Sequence, residues 1–266
     1  MKKPILVSGI CGRIGGKVAE LVAGAPDLAL AGGVEREGHP VAGSELSVGE
    51  ARVRVARGFE DGVPEAELLV DFSVPEALEA VLRFCTGRGT ALVCGTTGHS
   101  PKQTEMMRRA SEDIAVLFSP NMSLGITVLN KLLPEVVRSL GPECDVELIE
   151  KHHRAKKDSP SGTALRLAAT LAEACGGGKT LEVKYGREPG KQERKSGQLL
   201  IHSVRAGDIV GEHTVVTALR GERIEIKHVA ESRDCFAHGT LAAVRFLLGR
   251  PPGWYTMEDV VSRPAG

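Results

Sequence analysis

Over the first 119 residues, short apolar runs rich in β-branched side chains alternate with longer stretches whose apolar residues recur every three or four positions. PILVS (4 to 8), LALAGGV (28 to 34), LLVDFS (68 to 73), ALVCG (91 to 95) and AVLFS (115 to 119) read as strands. RIGGKVAELVAG, PEALEAVLRFCTGR and KQTEMMRRASED, which fall between them, read as helices built from good helix formers. A strand that is apolar throughout must be covered on both faces. The pattern therefore predicts an α/β fold with a parallel sheet sandwiched between helices. Four of these runs end in glycine or serine, so the carboxyl edge of the sheet is lined with backbone amides. That edge is where open α/β sheets bind ligands.

After Asn121 the texture changes. A helix is expected from Ile126 to Ser139, a strand around Val146 to Ile149 and a helix after Ser161. The alternating runs LLIHSVRA, HTVVTALR and RIEIKHVA follow, joined by turns such as AGDIVGE and RGE, and predict an antiparallel or mixed sheet. A helix returns over Phe236 to Leu248, and PPGWYTMEDVV adds a last short helix against the first domain. GGGK at 176 to 179 and GREPGKQERKSG at 186 to 197 read as loops, and the chain has no internal repeat. A length of 266 residues is near the point where one core splits into two. The change of construction favours two domains.

VSGICGRIG places Gly9, Gly12 and Gly15 between the first strand and the first helix. A dinucleotide needs a tight turn, close backbone approach and a helix N-terminus facing its pyrophosphate. The spacing is G-x-x-G-x-x-G, with Cys11 where the commoner pattern has a glycine, and glycine triplets at such turns are often only structural. The second strand, however, leads to Glu35, 20 residues after Gly15, where a carboxylate can accept the adenosine ribose hydroxyls. Arg36 beside it can pair with a 2′-phosphate, so NADH and NADPH both remain open. CGTTG (94 to 98) and FSPNMS (118 to 123) end later strands and suit a nicotinamide, although connectors of this composition are also ordinary.

The chain carries 34 basic and 34 acidic residues, yet Lys151, His152, His153, Arg154, Lys156 and Lys157 crowd before Pro160-Ser161-Gly162-Thr163. Read as a site, the cations and the amides of Ser161 to Thr163 at a helix start hold carboxylates. His152 and Lys156 then serve as proton donors. Read plainly, Ser161 is an N-cap, Pro160 a helix starter and the lysines a solvated turn.

Zero net charge and only nine aromatic residues exclude a general nucleic-acid binder and favour a small-molecule partner. The six cysteines are scattered without metal-ligand spacing, as expected of reduced thiols in the cytoplasm, and no metal site is expected. PILVSGIC is too short and too soon interrupted by Arg13 for a signal peptide, and no apolar run approaches the ~20 residues of a membrane span.

HHRAKKDSPSGTAL resembles the H-H-x-x-K-x-D-x-P-S-G-T-A signature of bacterial dihydrodipicolinate reductases, which act in the diaminopimelate route to lysine. The resemblance covers nearly the whole chain, since GICGRIG, VEREG, DFSVPEA, GTTG, SPNMSLG, RAGDIVGEH and FAHG follow in the family's order. It implies a Rossmann-type dinucleotide-binding domain of residues 1–122 and 234–266. An α+β domain of mixed sheet, residues 123–233, would be inserted for substrate binding and oligomerisation. The implied activity is NADH- or NADPH-dependent reduction of a cyclic, conjugated imine dicarboxylate to tetrahydrodipicolinate by a cytoplasmic homotetramer. By the same resemblance His152 is the proton donor, Lys156 its assistant, and His153, Gly162 and Thr163 bind the substrate. Gly9, Ile10, Cys11, Gly12, Arg13, Ile14, Glu35, Arg36, Gly95, Thr96, Thr97, Ser119, Pro120, Asn121 and Met122 would contact the cofactor. Ser159 replaces a frequent alanine, and Pro120 has no N–H to donate. A thioester-forming dehydrogenase would require a catalytic cysteine in a Cys/His setting, which none of the six occupies. A non-catalytic nucleotide sensor would have no use for His152 and Lys156 beside a helix start.

Overall fold

The computed structural model describes residues 1–60, 62–175, 181–190 and 193–262. GGGK therefore lies outside the described residues, as do Lys191 and Gln192 of the second polar stretch. The chain divides into two compact units: Met1–Leu124 with the chain from Asp234 onward, and Gly125–Arg233.

The first unit is an eight-stranded sheet in the order β13-β7-β6-β5-β1-β2-β4-β3. Its strands are β1 (Lys3–Ser8), β2 (Leu28–Glu35), β3 (Glu45–Val48), β4 (Ala51–Arg57), β5 (Leu68–Asp71), β6 (Ala91–Cys94), β7 (Ala115–Phe118) and β13 (Gly253–Tyr255). All pairings are parallel except β3 with β4. Five of the strands are the apolar runs expected from sequence. Successive side chains go to opposite faces: Ile5, Val7, Leu68 and Val70 join one core, whereas Leu6, Leu69 and Leu92 join the other. Helices α1 (Gly15–Gly24), α6 (Asp234–Leu247) and α7 (Met257–Val261) cover the first face, and α2 (Leu78–Arg88) and α3 (Pro101–Ala110) the second. Each fully buried Leu or Val contributes roughly 1.5–3 kcal/mol. Strands β3, β4 and β13 were not anticipated. β4 reads ARVRVAR, with arginines facing solvent, and β13 has only three residues, Trp254 and Tyr255 packing against opposite cores.

The second unit is a five-stranded mixed sheet, β12-β11-β8-β10-β9. Its strands are β8 (Asp145–His152), β9 (Glu182–Tyr185), β10 (Gln198–Arg205), β11 (Gly211–Leu219) and β12 (Glu222–Ala230). β8, β10 and β9 run parallel, while β11 is antiparallel to both β8 and β12. Helices α4 (Leu124–Leu140) and α5 (Gly162–Cys175) supply Leu129, Leu133, Val137, Leu167 and Leu171 to a core shared with Val146, Leu148, Leu199, Ile201 and Val215. β8 extends three residues beyond the expected Ile149, so His152 ends a strand. Val146, Leu148, Glu150 and His152 therefore share the face that meets the helices.

Candidate functional site

In the first unit the glycine turn closes on itself. The Gly9 amide donates to Val34 O, Gly12 to Gly9 O and Gly16 to Gly12 O, each at 2.9 Å. Gly9 has φ +72°, and a Cβ there would sit 2.4 Å from Phe72 O; one on Gly15 would sit 2.1 Å from Gly9 O. Neither position has room for a side chain. Helix α1 then starts with no side-chain cap and no acidic residue in its first turn, while Cys11, Gly12 and Arg13 are exposed. An uncompensated helix N-terminus behind an exposed glycine turn fits a pyrophosphate. Glu35 Oε1 accepts the Cys11 amide at 2.8 Å, tying the acid at the end of β2 to the turn, and Arg36 is exposed beside it. The Ile10 side chain is core: Gly33 leaves the space it fills, so only its backbone can serve a ligand.

Beside this turn lies a carboxylate that the sequence reading passed over. Asp71, 1% exposed at the end of β5, accepts Ser73 Oγ at 2.6 Å, Thr96 Oγ1 at 2.6 Å and Cys94 Sγ at 3.8 Å. Thr96 Oγ1 in turn accepts the Ser73 amide at 3.0 Å, and the Gly95 amide donates to Asp71 O at 2.9 Å. The Gly95–Thr96 segment is thus fastened to the end of the neighbouring strand. Thr97 stays exposed, and α3 follows behind a capping box of Ser100 and Gln103. Ser119, Asn121 and Ser123 form a further tight turn after β7. The Met122 side chain, by contrast, is buried in the core.

In the second unit the apolar face of the sheet turns polar at the end of β8. Glu150 is fully buried. It receives Arg205 at 2.9 and 2.7 Å, the Ser161 amide at 3.2 Å and His152 Nδ1 at 2.5 Å. Parallel register places Arg205 beside His152 and antiparallel register places His213 beside Glu150. The His213 ring meets His152 edge-on with centroids 5.4 Å apart, and its Nε2 lies 3.2 Å from Ser161 Oγ. Ser161 Oγ accepts the Ala164 amide at 3.1 Å, so this serine does cap α5. The Ser161 amide, expected to hold a substrate carboxylate, is instead engaged by Glu150. Gly162, exposed, and Thr163, half-buried, follow it at the helix start.

Charge is redistributed in the same way. Burial would raise the Glu150 pKa, but hydrogen bonds from Arg205, Ser203 and His152 outweigh it and hold the carboxyl down at about 2. Burial lowers the pKa of His152, with Glu150 opposing and Lys156 and Arg205 reinforcing the fall. His213 is pushed down to about 4, chiefly by burial and then by His152. Lys156 Nζ is bound to both oxygens of Asp158 at 2.8 Å, and Lys151 pairs with Glu212. His153 is half-buried, whereas Arg154 and Lys157 are exposed. Sequence reasoning therefore missed Glu150, Arg205 and His213. Alternation in VELIEKH already placed Glu150 and His152 on the face of Val146 and Leu148.

Residues 3–122 match the family described as dihydrodipicolinate reductase, N-terminus, and residues 125–261 match dihydrodipicolinate reductase, C-terminus. The chain belongs to the dihydrodipicolinate reductase family. Among curated relatives, 4-hydroxy-tetrahydrodipicolinate reductase of Nitrosospira multiformis is 41% identical over 260 residues, covering 97% of each chain. Those of Hahella chejuensis and Geotalea daltonii are 41% and 37% identical, each covering 97% of this chain and 98% of the relative. A solved dihydrodipicolinate reductase from Paenisporosarcina sp. TG-14, with dipicolinate bound, aligns at TM-score 0.77 and 20% identity over 96% of this chain and 98% of that one. The fold is that of the dihydrodipicolinate reductases, a Rossmann-type sheet with a second mixed sheet. The family is one of pyridine-nucleotide-dependent reductases. Among the described residues, no helix is long and apolar enough to cross a membrane, and no His, Cys, Asp and Glu cluster is arranged to hold a metal ion.

Proposed function

We propose that this chain reduces the dihydrodipicolinate-type cyclic imine dicarboxylate to tetrahydrodipicolinate, using NADH or NADPH, in the diaminopimelate route to lysine. The observation that carries the reading is a histidine gripped by a buried carboxylate beside the start of α5, a helix with no acidic residue in its first turn. That combination supplies a proton next to a place for carboxylates.

A bound reduced nicotinamide supplies the hydride. The turn from Gly9 to Ile14, exposed at Cys11, Gly12 and Arg13, and the N-terminus of α1 hold the pyrophosphate, with Glu35 taking the ribose hydroxyls. Arg36 is placed to meet a 2′-phosphate, so both cofactors are accepted. Gly95, Thr96 and Thr97, with Ser119, Pro120, Asn121 and Met122, form the nicotinamide end. Thr96 is held by Asp71, and Pro120 contributes no N–H. His153, Gly162 and Thr163 bind the substrate carboxylates. His152 protonates the enamine left by hydride addition, and Lys156, released from Asp158, assists. Residues 1–122 and 234–266 serve the cofactor; residues 123–233 serve the substrate and a homotetramer, in keeping with Val204 and Val229 exposed on the sheet. The enzyme works in the cytoplasm.

Burial raises the Cys85 and Cys94 thiols, and the thiols of Cys11, Cys144 and Cys235 are also raised, burial being the first cause in each. Thiolate nucleophiles are disfavoured at all five, which speaks against a thioester route. The test is loss of NADH absorbance on adding freshly generated dihydrodipicolinate precursor, repeated with NADPH. Turnover with both is expected; no turnover with either contradicts the assignment.

A further inference from the structure

The oxygens of Glu150 define more than a neighbour of His152. A leucine at this core-facing position would continue the row of Val146 and Leu148. A buried carboxylate costs several kcal/mol unless its partners are near ideal. Here they include a forked guanidinium, a helix-start amide and an imidazole nitrogen, and the carboxyl stays ionised down to about 2. An ionised oxygen can only accept, so His152 Nδ1 must donate to it.

We propose that Glu150 and Arg205 are a positioning pair for His152: the carboxylate fixes Nδ1–H, Nε2 becomes the nitrogen that releases the proton, and the guanidinium limits how tightly that proton is held. The inference rests on reading His152 as the proton donor. Gly211 leaves the second nitrogen its room, because a Cβ there would lie 3.1 Å from His152 Nε2. The groups facing His152 are Glu150 on its own strand, Arg205 on β10, His213 on β11, and Lys156 with its partner Asp158 from the following loop. Only the carboxylates favour the imidazolium. Arg205 therefore has two tasks, anchoring Glu150 through both oxygens and offsetting its charge.

In the step itself the Nε2–H bond of the imidazolium breaks and a C–H bond forms on the reduced ring. The imidazole is left neutral with hydrogen on Nδ1. Glu150 remains a carboxylate throughout, and solvent returns the proton to Nε2.

Removing each member should move the pH profile in opposite directions. In Glu150→Gln the imidazolium loses its anion, so the alkaline limb of kcat moves to lower pH and kcat at neutral pH falls by roughly 10- to 100-fold, part of what a general acid is worth. In Arg205→Gln the carboxylate acts unopposed, and the limb moves to higher pH. NADH affinity, which depends on the glycine turn, should be unchanged in both. A purely structural role would lower activity without moving the limb in opposite senses. If His152→Gln keeps wild-type kcat, the donor assignment itself fails. If His152→Gln is slow while both neighbours leave the limb unmoved, the donor stands and the positioning pair is wrong. Should either neighbour variant not fold, ¹⁵N spectra of histidine-labelled wild-type enzyme above the limb decide. Neutral His152 protonated on Nδ1 is expected, and the Nε2–H tautomer overturns the proposal.

Discussion

Each unit buries a carboxylate at the carboxyl end of a central strand, Asp71 on β5 and Glu150 on β8, and the two are held by opposite chemistry. Asp71 is bound by the hydroxyls of Ser73 and Thr96 and the thiol of Cys94. Glu150 is bound by Arg205, His152 and a helix-start amide. Hydroxyl donors keep their protons across the working pH range, so the Asp71 network is a fastening for two loops. An imidazole does not, and a carboxylate wired to it is linked to protonation. A buried acid is therefore informative through its partners: neutral donors mark support and titrating donors mark chemistry.

The comparison can be broken in order of expected effect. His152→Gln should lower kcat by about 10²- to 10⁴-fold with only a modest change in KM, the usual worth of a general acid. Lys156→Ala should damage both constants, because it removes a cation from the substrate's surroundings as well as an assistant. Steady-state kinetics on both variants checks this, and a wild-type kcat in His152→Gln would remove the chemical half of the contrast.

Acid should loosen the second unit first. Glu150 titrates at about 2 when folded against an ordinary 4.5, so its stabilisation is complete above 4.5 and lost as pH falls toward 2. The shift corresponds to on the order of 3 kcal/mol. His213, at about 4 against 6.5, and His152, also lowered, act with the same sign: the fold holds each pKa below 6.5, so protonation in the acid range favours the unfolded chain. Hydrogen exchange between pH 7 and 3, which covers the histidines above 4 and the onset of Glu150 protonation below 4.5, should show β8 and β11 losing protection more steeply than β5 and β6. Equal loss in both sheets would mean that the Glu150 cluster carries no special proton linkage.

Asp71→Asn sharpens the other side. It weakens hydrogen bonds to a buried charge, so thermal denaturation should show a loss of about 1.5–3 kcal/mol. Loosening of Thr96 should raise KM for NADH, while the alkaline limb of kcat stays where it is in the wild type. A shifted limb would make Asp71 part of the proton chemistry. The smallest change is expected from Ser100→Ala, which removes the cap of α3 behind the Gly95–Thr97 loop. It should cost about 1 kcal/mol of stability, again with an unmoved limb.

Legibility in the sequence followed the same division. The strands of the parallel sheet announce themselves as apolar runs because both their faces are buried, and VSGICGRIG declares its turn because Gly9 and Gly15 have no space for a Cβ. β4 hides behind its solvent-facing arginines, and the charged residues at the end of β8 hide the last turn-ward stretch of that strand. The cluster of cations was visible at once, but two of its lysines prove to be paired with Glu212 and Asp158. Arg205 reaches Glu150 across 55 positions of chain through parallel strand register. Such pairing is a property of the sheet, and no local pattern encodes it. Glu150 itself was readable from the alternation Val146, Leu148, Glu150, His152, had the strand been carried to its end.

The most direct measurement is kcat against pH for wild type and His152→Gln, with NADH and dihydrodipicolinate both saturating. The wild-type rate should fall along an alkaline limb as the imidazolium is lost, and the variant should be slow and flat across the same range. A variant that turns over at the wild-type rate, with the same limb, would contradict the account of this chain as a reductase whose proton comes from His152.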